Sequence, residues 1–99
     1  MSITVVNMRD HKSDFRCDRK SALGNPFVMH KEHERELVCT CYDAYFQECL
    51  NPDIAPPGFL EYLDEILQAA KQKDITLGCW CAPKQCHCDT IKAYLDSQI

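Results

Sequence analysis

The chain has 99 residues, 45% of them hydrophobic and 26% charged, an ordinary globular balance that excludes a disordered polymer. A chain of this length buries only about 60–65% of its unfolded surface, which fits one domain over residues 1–99 and excludes a two-domain enzyme, a full dinucleotide-binding fold or a barrel. Seven Lys and Arg face five Asp and Glu through Arg35, four face ten after it, and the sum is −4; with no basic stripe, generic binding to duplex nucleic acid is not expected.

No apolar run approaches the roughly 20 residues of a membrane span. The opening MSITVVNMRDHK has neither the basic start nor the apolar stretch of a secretory signal. A cytoplasmic location is therefore expected. There the eight cysteines would be thiols or metal ligands, not a disulfide framework.

In chain order, the β-branched run Ile3–Asn7 predicts a buried strand. Asp14–Arg19 reads as a short second strand with Phe15 and Cys17 on one face. Ser21–Phe27 is a loop, since Gly24 permits unusual backbone angles and Pro26 holds Asn25 extended. From His33 to Leu50 a helical stripe runs through Val38, Cys41, Tyr42, Tyr45, Phe46 and Cys49, with Cys39 off its centre and partly exposed. Three of the five prolines fall in the connection Asn51–Gly58. Phe59–Lys73 is the clearest helix, with acids early and lysines late to complement its dipole. A strand follows over Ile75–Trp80, with Trp80 packing beneath the sheet or walling a pocket. A last helix is capped by Asp89 or Thr90. This order predicts a small α/β fold, a short, mostly parallel sheet flanked by about three helices. The first strand and Ile75–Leu77 would lie side by side, parallel, joined by a two-helix crossover.

The turn Gly78-Cys-Trp-Cys-Ala-Pro-Lys-Gln-Cys-His-Cys-Asp89 carries four cysteines and a histidine where a strand gives way to a helix. At that carboxyl edge of a sheet, free backbone N–H groups favour ligands. Three chemistries fit. Cys79, Cys81, Cys86 and His87, or Cys88 in place of His87, supply the four soft donors of a tetrahedral zinc site. Cys86 or Cys88 at a helix start has the setting of a reactive thiolate, with His87 and Asp89 as candidate proton carriers. The same thiols also pack as small hydrophobes. Packing is the expectation for Cys17, Cys41 and Cys49.

Arg16, Arg19 and Lys20 precede Ser21 and Gly24-Asn-Pro-Phe27. An arginine fork with Ser21 and Asn25 as neutral donors suits a phosphate or carboxylate, and equally an ordinary turn. No P-loop or Gly-rich dinucleotide motif is present. His11, His30 and His33 show no ligand spacing.

The early VVN strand, the R-x-S-x-x-GNPF loop (Arg19, Ser21, Gly24 to Phe27) and the LGCWCAPxxCH segment (Leu77 to His87), in this order, resemble a family of small bacterial and phage proteins of unknown function. The resemblance spans nearly the whole chain and implies that loop and turn are two walls of one pocket. Arg19, Ser21, Asn25, Cys79, Cys81, Cys86, His87 and Asp89 match its pattern. Asp18 and Cys88 stand where glycine is usual, and Cys17, Cys39, Cys41, Cys49 and Cys88 fall outside it. The expectation is a zinc-binding Cys/His site with an Arg19, Ser21, Asn25 loop closing over a small anionic or nucleotide-like ligand. The alternative is a non-enzymatic module that binds a host protein, with the cysteine turn structural and the acids Glu61, Asp64 and Glu65 as contacts.

Overall fold

The computed structural model describes residues 2–18, 20–27, 29–82 and 84–99. Among them the elements are β1 (Ile3–Asn7), β2 (Phe15–Arg16), a 3₁₀ turn (Glu32–Glu34), α1 (Arg35–Cys49), α2 (Phe59–Ala70), β3 (Ile75–Cys79) and α3 (Cys88–Gln98). The fold is α/β, as the element order implied. The sheet order is β1-β3-β2, and both edge strands run parallel to β3.

β1 and β3 are adjacent and parallel, with Ile3 opposite Ile75 and Asn7 opposite Cys79. Only β3 is central. Ile75, Leu77, Gly78 and Cys79 are buried along it, whereas β1 past Ile3 is half-buried or exposed, since among the described residues its outer edge has no partner strand. The second strand shrinks to Phe15–Arg16. Its pairing ends as the Cys17 N–H donates to the Gly78 carbonyl at 2.8 Å, and the Ser21 N–H then donates to the Asp18 carbonyl at 3.0 Å.

α2 follows its apolar spacing. Phe59, Leu63, Ile66 and Ala70 are buried at intervals of three and four. Gly58 starts it at φ 81°, a left-handed angle that favours glycine. α1 buries Cys39, Tyr42, Phe46 and Cys49. The stripe is therefore rotated from the expected one: Cys39 is buried and lines a cavity, and Cys41 falls to the flank. Tyr42, Phe46 and Phe59 form the aromatic centre, with Tyr42–Phe46 rings 6.0 Å apart and Phe46–Phe59 rings 5.7 Å apart. α3 packs on β1, β3, α1 and α2, burying Cys88, Ile91 and Leu95. The helix therefore presents its first residue, Cys88, to the carboxyl end of β3. No helix among the described residues is long and apolar enough to cross a membrane.

Candidate functional site

β3 ends at Cys79 and the chain turns over residues 80–87 before α3 begins. Two groups at the end of β1 and just beyond it hold this turn. The Met8 N–H donates to the Cys79 carbonyl at 2.8 Å, and the Asn7 side-chain amide donates to the carbonyls of Ala82 at 3.0 Å and Trp80 at 3.3 Å. At the far end Asp89 bonds both ways to Cys86. Its amide donates to the Cys86 carbonyl at 3.0 Å, and its carboxylate accepts the Cys86 N–H at 3.2 Å. This reciprocal arrangement satisfies donors and acceptors at the helix start. Asp89 and Thr90, expected to cap α3, do not: the helix begins at Cys88 with His87 at its cap position and no side-chain cap bond, and Asp89 lies in the first turn.

The turn gathers three sulfurs. Cys79, Cys86 and Cys88 offer Sγ atoms that all lie within 4.8 Å of one another, and all three side chains are buried. The Cys79–Cys86 separation is 3.3 Å. Zinc–sulfur bonds of about 2.3 Å in a tetrahedron place sulfurs about 3.8 Å apart, so the cluster already has the span of a metal site. All eight cysteines are free thiols. Cys79 is the thiol drawn down in pKa: Cys86 and Cys88 donate S–H bonds to it, the amides of Cys81 and Ala82 add theirs, and burial opposes them. Cys86 is pushed up by its bond to Cys79, and Cys88 is pushed up by its contacts with Cys17, Cys79 and Cys86. A Cys88 amide bond favours the Cys86 thiolate in the opposite sense. The Cys79 sulfur therefore sits in backbone N–H groups from residues two and three further on, the setting of a buried anion or a metal-bound thiolate.

A cavity of about 430 Å³ adjoins the cluster, with Cys79, Cys86 and His87 in its lining. Asn25 and Phe27 line it from the GNPF loop, and Trp80 and Cys81 from the turn. The loop and turn thus meet at one hollow. The Asn25 side-chain oxygen (Oδ1) accepts the Phe27 N–H at 2.8 Å, which fixes the loop. Trp80 is 52% exposed and lies in the cavity wall, not beneath the sheet, because the strand ends one residue earlier. Its indole N–H donates to Asp18 at 3.0 Å. Asp18 is buried, and burial raises its carboxyl pKa. Bonds from Arg16, Trp80 and the Lys20 amide outweigh this and hold it below the ordinary carboxylate value.

Arg35 supplies a cation at the cavity wall. Its Nε and Nη2 grip the Glu32 carboxylate at 2.9 Å each, and its Nη1 donates to the Gln85 carbonyl at 2.8 Å. The fork with Glu32, and then the Cys81 thiol against it, raise the Arg35 pKa. Lys20 is a second, exposed cation in the lining.

The expected site residues divide as follows. Cys79, Cys86 and Cys88 come together, while Cys81 stands apart against Arg35 at the cavity. The His87 ring is half-buried, edge-on to Tyr42 with centroids 5.0 Å apart, and its Nε2 meets the Cys17 carbonyl. Asn25 lines the cavity, but Ser21 does not: its hydroxyl donates to the Asp18 carbonyl at 2.8 Å within the local turn. Arg19 lies outside the described residues. Sequence reasoning missed Asn7, Asp18 and Arg35. Each has a partner far along the chain, Arg35 a carbonyl 50 residues away and Asp18 the Trp80 indole 62 residues away, and no local spacing announces those contacts.

No curated protein and no solved structure matches the chain. A family model described as a domain of unknown function (DUF4326) matches residues 4–97, a span holding both loop and turn, and the chain belongs to that family.

Proposed function

We propose that the chain is a zinc-binding protein whose metal sits on Cys79, Cys86 and Cys88 and braces a small-ligand cavity. The observation that carries this reading is the mutual approach of three buried thiols. The donor set contains sulfur and no carboxylate, which suits a soft or borderline ion such as zinc and disfavours calcium or magnesium. Amide donors at Cys79 and Cys86 offset thiolate charge that an apolar pocket would otherwise repel.

The cavity suits a flat ligand carrying one anionic group. Trp80 and Phe27 offer exposed aromatic surface. Lys20 and Arg35 provide positive charge, and Asn25 a polar side chain. Nucleotide-like molecules combine a flat ring with such an anion.

Metal analysis of folded, reduced protein purified without added zinc tests the first part. About one equivalent is expected, lost in Cys79→Ser, Cys86→Ser or Cys88→Ser and kept in Cys81→Ser. Less than about 0.2 equivalents of zinc or another soft metal ends the metal reading. Emission from Trp80, the one tryptophan, tests the second. Adenosine monophosphate should change it saturably, with Lys20→Ala binding about three- to tenfold more weakly. No response to the nucleotide at millimolar concentration ends the ligand reading.

A further inference from the structure

Three thiolates leave a tetrahedral ion one donor short, and that vertex decides what the metal does. A fourth protein sulfur closes the site and makes it structural. A water or ligand in its place makes the site open to chemistry. The side chains around the cluster differ in what else they do. Cys81 lies against the Arg35 guanidinium at the cavity. The His87 ring meets the Cys17 carbonyl and packs on Tyr42. The Asp89 carboxylate is committed to the Cys86 amide.

Cys17 is the remaining donor. Its side chain is fully buried, and it is absent from the cavity lining. Its side chain interacts with that of Cys88, which belongs to the close group of Cys79, Cys86 and Cys88. The backbone of Cys17 is pinned on both sides. Its N–H bonds the Gly78 carbonyl at 2.8 Å, and its carbonyl takes the His87 ring. Gly78 and His87 immediately precede Cys79 and Cys88, so Cys17 is tied to the same strand–helix junction as the other three thiols. Its sulfur lies outside the mutual 4.8 Å group. Closing the set requires the Cys17 sulfur to move toward the other three.

We infer that Cys17 is the fourth ligand of a closed four-thiolate site with Cys79, Cys86 and Cys88, and that the metal is structural. This rests on the metal reading above. Such an ion would join the end of β2, the end of β3 and the start of α3, and so hold the cavity wall from behind. The cavity ligand would then bind beside the metal and never on it.

X-ray absorption at the zinc edge of the wild-type protein tests this without a substitution. The expected result is four sulfur neighbours at about 2.3 Å. Three sulfurs with one nitrogen or oxygen overturn it. Cobalt-loaded protein gives the second test. Its thiolate-to-metal absorption should fall by about a quarter in Cys17→Ser, as one of four sulfurs is lost, and stay unchanged in Cys81→Ser. An unchanged Cys17→Ser spectrum beside a reduced Cys81→Ser spectrum also overturns the assignment, because the fourth sulfur is then Cys81. If folded, reduced wild type takes up neither zinc nor cobalt, the metal reading itself fails and this inference falls with it. If it takes up zinc on three sulfurs, the metal reading survives and only Cys17 is lost.

Discussion

At the scale of single residues, the site depends on side chains that connect parts distant in sequence. Tyr42 is one. Its buried hydroxyl donates to the Leu23 carbonyl at 2.8 Å, which ties α1 to the GNPF loop, while its ring meets His87. Burial accordingly pushes the Tyr42 pKa up. Glu32 is another, since it aims Arg35 toward Gln85. Its bond to Arg35 lowers the Glu32 carboxyl to about 2. The unfolded chain binds that proton near the ordinary value of 4.5, whereas the folded chain stays ionised until about pH 2. Between these values the unfolded state carries more protons, so stability rises with pH. The pair's contribution should therefore be complete above about pH 5 and fade as pH falls toward 2. Chemical denaturation of wild type and Glu32→Gln across that range checks it. The difference should shrink on acidification, and should shrink at neutral pH when salt is raised, because the carboxylate is exposed.

At the scale of elements, β3 carries the fold and the site together. Gly78 is buried in it, opposite Val6 on one side and Arg16 on the other. A Cβ there would lie 2.3 Å from Ser13 Oγ and 2.6 Å from Met8 Cγ, well inside contact distance. Gly78→Ala should therefore destabilise by about 1–3 kcal/mol through overpacking, read as a lower urea midpoint with an unchanged slope. An unchanged midpoint would mean that Met8 and Ser13 move aside freely. Which elements form was largely legible from periodicity: α2 and β3 begin where their apolar spacing begins. The rotation of α1 was not. Cys39 and Cys41 are two residues apart on a helix whose stripe includes several marginal side chains, and only tertiary packing decides that Cys39 is buried in the cavity wall and Cys41 is not. The short second strand was legible, but its reduction to Phe15–Arg16 was not, since two residues of pairing depend on the neighbouring strand.

At the scale of the whole molecule, the cysteine junction joins the carboxyl edge of the sheet to α3, and the cavity lies beside it. An ion that binds the folded chain and not the unfolded one stabilises the fold by mass action, about 2.7 kcal/mol at a hundredfold excess over its dissociation constant. A strong chelator under reducing conditions should lower the thermal midpoint of the zinc-loaded protein, and added zinc should restore it. A midpoint indifferent to the chelator, with metal shown to be removed, would leave the junction held by packing and hydrogen bonds alone. The opposite extreme, unfolding on chelation, is the behaviour of small metal-dependent domains.

The sequence alone determined the α/β class, the parallel pairing of the first and last strands, and the placing of the cysteine turn at a strand–helix junction. These follow from local spacing, since strand and helix periods and the end of β3 are written in consecutive residues. Its two motifs also implied a shared hollow for loop and turn. Which thiols converge was a matter for tertiary structure. Cys88 joins Cys79 and Cys86 because α3 packs on β1 and β3 and turns its first residue inward, while Cys81, equally regular in sequence, is carried out to Arg35. Cys17 reaches Cys88 across 71 positions of chain only because β2 pairs with β3. Contacts of that span depend on how the elements pack, and no spacing within a motif can encode them.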